Sequence, residues 1–223
     1  MYEDSLLKAS AQYGPLSAET ERALRTLDAY LMEQLRKMEE TQMDKITNVI
    51  ILSDHGMTYG ADPMRQHHPI NFKAENHAAI REYSLAQALK PVERQVRMVI
   101  GEGAYAMVYP KDPSMTLTVL DALDMSLRGY DGVRAYAKNE IPDHLHWKDS
   151  KYCPPILVLA RPGIVITRAK PVHQKPAVHR APDYNEYDGG PLRYNDGIRP
   201  GLSGYDPEES DMQGVFMARG PGT

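Results

Sequence analysis

Asn48-Val49-Ile50-Ile51-Leu52-Ser53-Asp54-His55-Gly56-Met57-Thr58-Tyr59-Gly60 is the stretch on which the reading of the fold turns. Four apolar residues in a row, Val49 to Leu52, have the pattern of a short strand buried on both faces of a parallel sheet. The run stops at Ser53 and sets Asp54 and His55 side by side at its carboxyl end. Gly56 is then expected to let the backbone turn sharply. In open α/β sheets, ligands occupy the crevice beyond the carboxyl ends of the strands. A carboxylate oxygen and an imidazole nitrogen are ordinary zinc donors, so Asp54 and His55 are candidate metal ligands. Taken alone, Asp-His after a strand is more often a capping or hydrogen-bonding pair.

Composition bounds what surrounds this stretch. At 223 residues the chain can form one sizeable domain with its own core. A net charge of -4 provides no basic field for nucleic acid or an anionic membrane. Nowhere do about 18 apolar residues follow one another, as a membrane-spanning helix requires. Met1-Tyr2-Glu3-Asp4-Ser5 is polar and acidic, so no signal peptide is expected in this chain. The single cysteine, Cys153, cannot form an internal disulfide and reads as a packed thiol.

Upstream of the strand, Gly14-Pro15 reads as a turn and Ser17 as an N-cap, with Glu19 and Glu21 placed to meet the helix dipole. Leu24, Leu27, Leu31, Leu35 and Met38 recur at helical spacing up to about Glu40, a stripe expected to be core. Downstream, a polar loop from Gly60 to Pro69 holds His67 and His68, with His77 nearby; this spacing fits no zinc motif and reads as a solvated loop. Ile80 to Leu89 reads as helix. Arg97–Ile100 and Ala104–Tyr109 read as strands joined by Gly101-Glu102-Gly103. A helix over Met115–Leu127 presents Leu117, Leu120, Leu123 and Leu127. Val133–Tyr136 and Ile156–Ala160 read as further strands. Arg161 to Pro200, rich in Pro, Gly, Asp and Asn, reads as a long irregular loop.

The string Ser53-Asp54-His55-Gly56-Met57 closely resembles a signature of the nucleotide pyrophosphatase/phosphodiesterase family, within the alkaline phosphatase superfamily. The opening segment is similar to that family's Tyr-x-Glu-x-Pro-Asp-x-x-Gly-His-x-x-Gly-Pro, with Tyr2, Gly14 and Pro15 matching. Pro154-Pro155-Ile156-Leu157-Val158 resembles another family segment, preceded by Pro142, Asp143 and His146-Trp147. Gly201-Leu202-Ser203-Gly204-Tyr205-Asp206-Pro207, followed by Met212 to Pro221, resembles the family's Gly-x-His-Gly-Tyr-Asp-Asn and its last strand.

The resemblance implies an α/β fold: part of an alkaline-phosphatase-like three-layer αβα sandwich, with a small α+β subdomain inserted after the Asp-His motif. Residues 1–60 and 201–223 would form the main sheet layer, about 80–167 the subdomain and about 168–200 an irregular loop, making one incomplete phosphodiesterase-type domain. It also implies a two-zinc phosphoryl transfer, in which one zinc activates a threonine nucleophile and the other polarises the phosphate. Asp54 and His55 match ligands of one zinc. The ligands of the other fall on Leu7, Ala11 and Ser203; leucine and alanine have no lone pair to offer, and a neutral hydroxyl is a poor zinc donor. No segment matches the threonine nucleophile, so no catalytic residue is assigned.

The chain is therefore expected to be a truncated, degenerate and catalytically inactive relative, with zinc held weakly if at all. Two alternatives stand beside it. One is a zinc-dependent phosphodiesterase acting on nucleotide or choline-phospholipid phosphodiesters, if the chain is a fragment of a longer gene product. The other is a non-catalytic binding protein that takes a phosphate ester, or that pairs with a complementing chain or a second copy across an open sheet edge. His146 reads first as a residue packed beside Trp147 and second as a hydrogen-bond donor near a substrate phosphate. Family habit suggests an extracellular or membrane-associated setting.

Overall fold

The computed structural model describes residues 3–59, 81–168 and 201–222, with backbone alone at 193–194 and 197–198. The expected histidine-rich loop, His67, His68 and His77 included, lies outside the described residues, as does most of the loop expected before Pro200. In chain order the helices are α1 (Ser5–Tyr13), α2 (Ala18–Glu40), α3 (Leu85–Ala88) and α4 (Thr116–Leu127). The strands are β1 (Val49–Leu52), β2 (Thr58–Tyr59), β3 (Arg81–Ser84), β4 (Val96–Ile100), β5 (Tyr105–Pro110), β6 (Val133–Ala137) and β7 (Ile156–Ala160). They continue with β8 (Ile164–Thr167), β9 (Arg193–Tyr194), β10 (Gly197–Ile198), β11 (Gly201–Leu202) and β12 (Phe216–Arg219).

Helix α2 begins where its sequence says it should. The Ser17 hydroxyl accepts the Thr20 amide at 3.1 Å, and the Thr20 hydroxyl donates to the Gly14 carbonyl at 2.8 Å, satisfying polar groups that a helix start leaves orphaned. The stripe on α2 is not core, contrary to expectation. Thr20 is its one fully buried residue, Leu24 is half exposed, and Leu27, Leu31, Leu35 and Met38 are only partly covered. Helical periodicity specifies a face that can be buried; a neighbour has to do the burying.

Strand β1 departs from expectation in the same way. It pairs antiparallel with β12, Val49 opposite Arg219 and Leu52 opposite Phe216, and among the described residues neither strand has a second neighbour. Cross-strand partners share a face. Ile50, Leu52 and Phe216 accordingly form an open apolar face, 57%, 66% and 69% exposed. The opposite face looks toward α2 across a cavity of about 220 Å³ lined by Leu35, Met38 and Val49.

The main core lies elsewhere. Strands β4-β5-β7-β6 form an antiparallel sheet, with β7 bonded on both edges. The β4–β5 connection places Gly101 and Gly103 at φ 85° and 98°, a region glycine enters without steric cost. Helix α4 covers one face through Val119, Leu120 and Leu123, against Val108, Ile156 and Val158. Leu117, expected in that stripe, sits in the first turn and is exposed. The opposite face carries a smaller cluster around Ile141, Cys153 and Leu157; burial pushes the Cys153 thiol pKa up, as fits a packed, unreactive cysteine.

Two expectations fail at β3 and β8. Arg81–Ser84, expected to be helix, and Ile164–Thr167, expected to be irregular, instead run parallel to each other, Tyr83 opposite Ile166. All of β8 is buried, and this tertiary pairing overrides the local composition of Arg81-Glu82-Tyr83-Ser84.

Candidate functional site

Four segments converge beyond the end of β1: the C-terminal half of α1, Ser53–Met57, β11 with the turn after it, and Asp211–Gln213. The Gly56 amide donates to the Met212 carbonyl at 2.9 Å, and the Ser53 hydroxyl accepts the Val215 amide at 2.8 Å. The Thr58 hydroxyl donates to an Asp211 carboxylate oxygen at 2.7 Å. Strand β2 pairs with β11, Thr58 opposite Leu202. A Cβ on Gly201 would stand 2.0 Å from the Ser10 carbonyl and 2.6 Å from Met57 Sδ, so α1, Met57 and β11 meet at near contact.

Gly56 is required here for a reason other than the one its sequence suggests. Its φ is not among the positive ones, so no special turn conformation is being used. A Cβ there would stand 2.0 Å from the Asp211 carbonyl oxygen and 2.9 Å from that of Gln213. Close approach of two backbones leaves no room for any side chain.

Asp54 and His55 stand together at the strand end, Asp54 exposed and His55 half-buried. The Asp54 carboxylate accepts the His55 amide at 3.0 Å. Nδ1 of His55 lies 2.6 Å from the Gly56 carbonyl. A carbonyl can only accept, so Nδ1 carries the proton and, in the neutral ring, the Nε2 lone pair is free. That lone pair lies 3.7 Å from Asp54 Oδ1. With the ring neutral the pair offers two acceptors side by side, the ring oriented through its other nitrogen, the donor set and outer support that a zinc-binding histidine uses. Ligands of one tetrahedral zinc stand roughly 3.3 Å apart, close to the spacing seen here.

The positions expected to be degenerate offer nothing comparable. Leu7 is partly buried on α1, Ala11 is buried on the same helix, and Ser203 follows β11 directly. Contact between α1 and β11 sets them on adjoining elements, with two hydrocarbon side chains and one hydroxyl between them. This donor set does not fit a zinc ion.

A grouping that the sequence reading missed lies three residues beyond Ser203. His144, Asp206 and Glu208 bring one donor atom each within 4.8 Å of one another. His144 Nε2 sits 3.0 and 2.9 Å from the two Asp206 oxygens. The carboxylate is an acceptor, so Nε2 holds the proton, and hydrogen bonding to Asp206 raises the imidazole pKa. The arrangement is the reverse of His55: here Nε2 is the donor, and the contact becomes an ion pair when the ring is protonated. Separated by 62 residues, the two partners left no local signal. His146, expected to pack beside Trp147, is instead exposed, with its backbone in the left-handed region at φ 49°. Trp147 makes its edge contact with Tyr105, ring centres 6.4 Å apart.

A family model described as type I phosphodiesterase / nucleotide pyrophosphatase matches residues 2–185. Human ectonucleotide pyrophosphatase/phosphodiesterase family member 5 is 23% identical over 208 residues, which is 93% of this chain and 32% of the human protein. The solved structure of murine ectonucleotide pyrophosphatase/phosphodiesterase 5 has a TM-score of 0.66 at 23% identity, covering 95% of this chain and 44% of the murine one. An inactive threonine-to-alanine form of the murine protein, in complex with AMP, gives the same values. The chain thus spans about a third of the curated relative (32%). These likenesses show an alkaline-phosphatase-like α/β fold.

Proposed function

Given that the chain belongs to the type I phosphodiesterase/nucleotide pyrophosphatase family, we propose that by itself it is a degenerate member: it keeps the scaffold and half of one zinc site, and does not turn over phosphodiesters. The observation that carries this reading is the contrast between two sets of positions. Asp54 Oδ1 and His55 Nε2 stand 3.7 Å apart as candidate donors, whereas Leu7 and Ala11 offer no lone pair and Ser203 only a neutral hydroxyl. Phosphoryl transfer by two metals needs both clamps, one on the attacking oxygen and one on the leaving oxygen. Two protein donors at one site hold zinc weakly and leave its remaining positions to water.

The AMP held by the murine relative makes a nucleotide the first ligand to try on this chain. Within a longer gene product, an active zinc phosphodiesterase for nucleotide or choline-phospholipid substrates would need donors that these positions lack. The test is hydrolysis of a nitrophenyl phosphodiester by the purified chain with added zinc. Rates equal to buffer support the proposal; sustained turnover, abolished in Asp54→Ala, refutes it.

A second reading rests on a separate observation. Ile50, Leu52 and Phe216 lie open on a two-stranded ribbon that has no further neighbour among the described residues. Unpaired strands with apolar side chains favour pairing with another polypeptide, whether a complementing chain or a second copy. Light scattering after size exclusion distinguishes the two: a dispersed monomer removes the need for a partner.

A further inference from the structure

We infer that the cavity between α2 and the β1–β12 ribbon is a binding site for a small organic cation, a primary ammonium carried on a short hydrocarbon body. The cavity lies at the start of β1, the opposite end from Asp54 and His55. Leu35 and Met38 on α2 and Val49 on β1 line it with hydrocarbon. Arg219 stands opposite Val49 in the ribbon, and cross-strand partners share a face, so its side chain leaves the sheet on the cavity side. Its guanidinium donates to Glu39 on α2 at 2.8 Å and bridges the two walls. A third wall comes from the turn Met43–Lys45 and the residues after it, which bring Asp44 and Thr47 to the cavity. These walls are held from outside. The Gly222 amide donates to Asn48 Oδ1 at 3.0 Å, and a Cβ on Gly220 would stand 2.7 Å from Asn48 Cα, so residues 220–222 are pressed against the start of β1. The Ile46 amide donates to the Met43 carbonyl at 3.1 Å and closes the turn.

Charge decides what the cavity takes. Glu39, Asp44 and Arg219 are the charged residues of the lining, two carboxylates to one guanidinium. Arg219 is already met by Glu39, which leaves the Asp44 carboxylate as the excess charge. Its Oδ1 is buried and has no hydrogen-bond partner among the described residues. A buried acceptor left unpaired costs stability that a donor restores, and a charged donor restores most. An ammonium group brings three such donors together with the missing positive charge. One unpaired carboxylate among hydrocarbon walls is too few donors for a metal ion. Size sets the rest. A dry cavity of about 150 Å³ admits benzene, whereas drug-sized ligands occupy about 300 Å³ or more. At about 220 Å³ the cavity suits a body of about six to eight carbons, its amine against Asp44 and its hydrocarbon against Leu35, Met38 and Val49.

The experiment is a titration of the full chain with benzylammonium, benzyl alcohol and benzoate, probes of similar shape and different charge, read from the methyl NMR signals of Met38 and Val49. Benzylammonium should shift both signals saturably, benzyl alcohol should bind about tenfold more weakly, and benzoate should not bind. Asp44→Asn, which keeps the shape and removes the charge, should weaken benzylammonium by about tenfold and bring it level with the alcohol. Leu35→Phe should fill the cavity and abolish binding of both. Methyl signals of Val158, in the main core, should stay unchanged throughout and report an intact fold. No saturable shift with benzylammonium would overturn the inference. So would benzyl alcohol or benzoate binding as tightly, because Asp44 would then not select the ligand. Benzylammonium affinity unchanged in Asp44→Asn, or binding that survives in Leu35→Phe, would overturn it by placing the site elsewhere.

Discussion

Replacing Gly56 with alanine should be among the costliest single methyl additions in the chain. The added Cβ would begin 2.0 Å from the Asp211 carbonyl oxygen and 2.9 Å from that of Gln213, both backbone atoms that no side-chain rotation can move aside. Relief requires Asp54–Gly56 to separate from Asp211–Gln213, which breaks the 2.9 Å bond from the Gly56 amide to the Met212 carbonyl. Overpacking of this kind costs about 1–3 kcal/mol and the lost bond about 1 kcal/mol, giving roughly 2–4 kcal/mol in all. Met212 belongs to the main core, so the strain reaches the cooperative unit. Urea denaturation followed by tyrosine and tryptophan fluorescence reads it out as a lower midpoint. An alanine variant within about 0.5 kcal/mol of wild type would show that the two backbones have room to separate, and that the glycine is not there for close approach.

Further outcomes follow from burial alone. Ile156→Ala, at the fully buried start of the central strand β7, should cost about 2–5 kcal/mol in the same denaturation assay. Leu52→Lys and Phe216→Lys, on the open face of the β1–β12 ribbon, should each change stability by less than about 0.5 kcal/mol while reducing binding of a hydrophobic dye. A large loss of stability in either lysine variant would mean that this face is covered.

How far the sequence reached differs from element to element. Ser17, its acidic first turn and the leucine spacing placed α2 to within a residue at each end, because caps and periodicity are local properties. The glycine-bounded hairpin and the strand after Pro154-Pro155 were legible for the same reason. Helix α1, Ser5–Tyr13, carries no comparable signal: Asp4 before it makes no capping hydrogen bond, and neither end bears the charges that mark a helix terminus. The β3–β8 pair was illegible because its stability lies in a partner far along the chain. Val49–Leu52 showed what a strand would bury, and could not show that its neighbours leave half of it open.

The site divides along the same line. Asp54 and His55 were readable from adjacency and from the apolar run before them. That His55 turns Nδ1 to the Gly56 carbonyl and keeps Nε2 free became visible only in three dimensions, as did the opposite arrangement at His144.

Zinc content after exhaustive dialysis against metal-free buffer tests the central claim most directly, because it counts the donors that function. With Asp54 and His55 as the paired donors and none at Leu7, Ala11 and Ser203, the chain should retain well under one equivalent, and Asp54→Ala or His55→Ala should abolish what remains. Two equivalents retained by the wild-type chain would contradict the account, for it would mean that a complete two-metal centre survives.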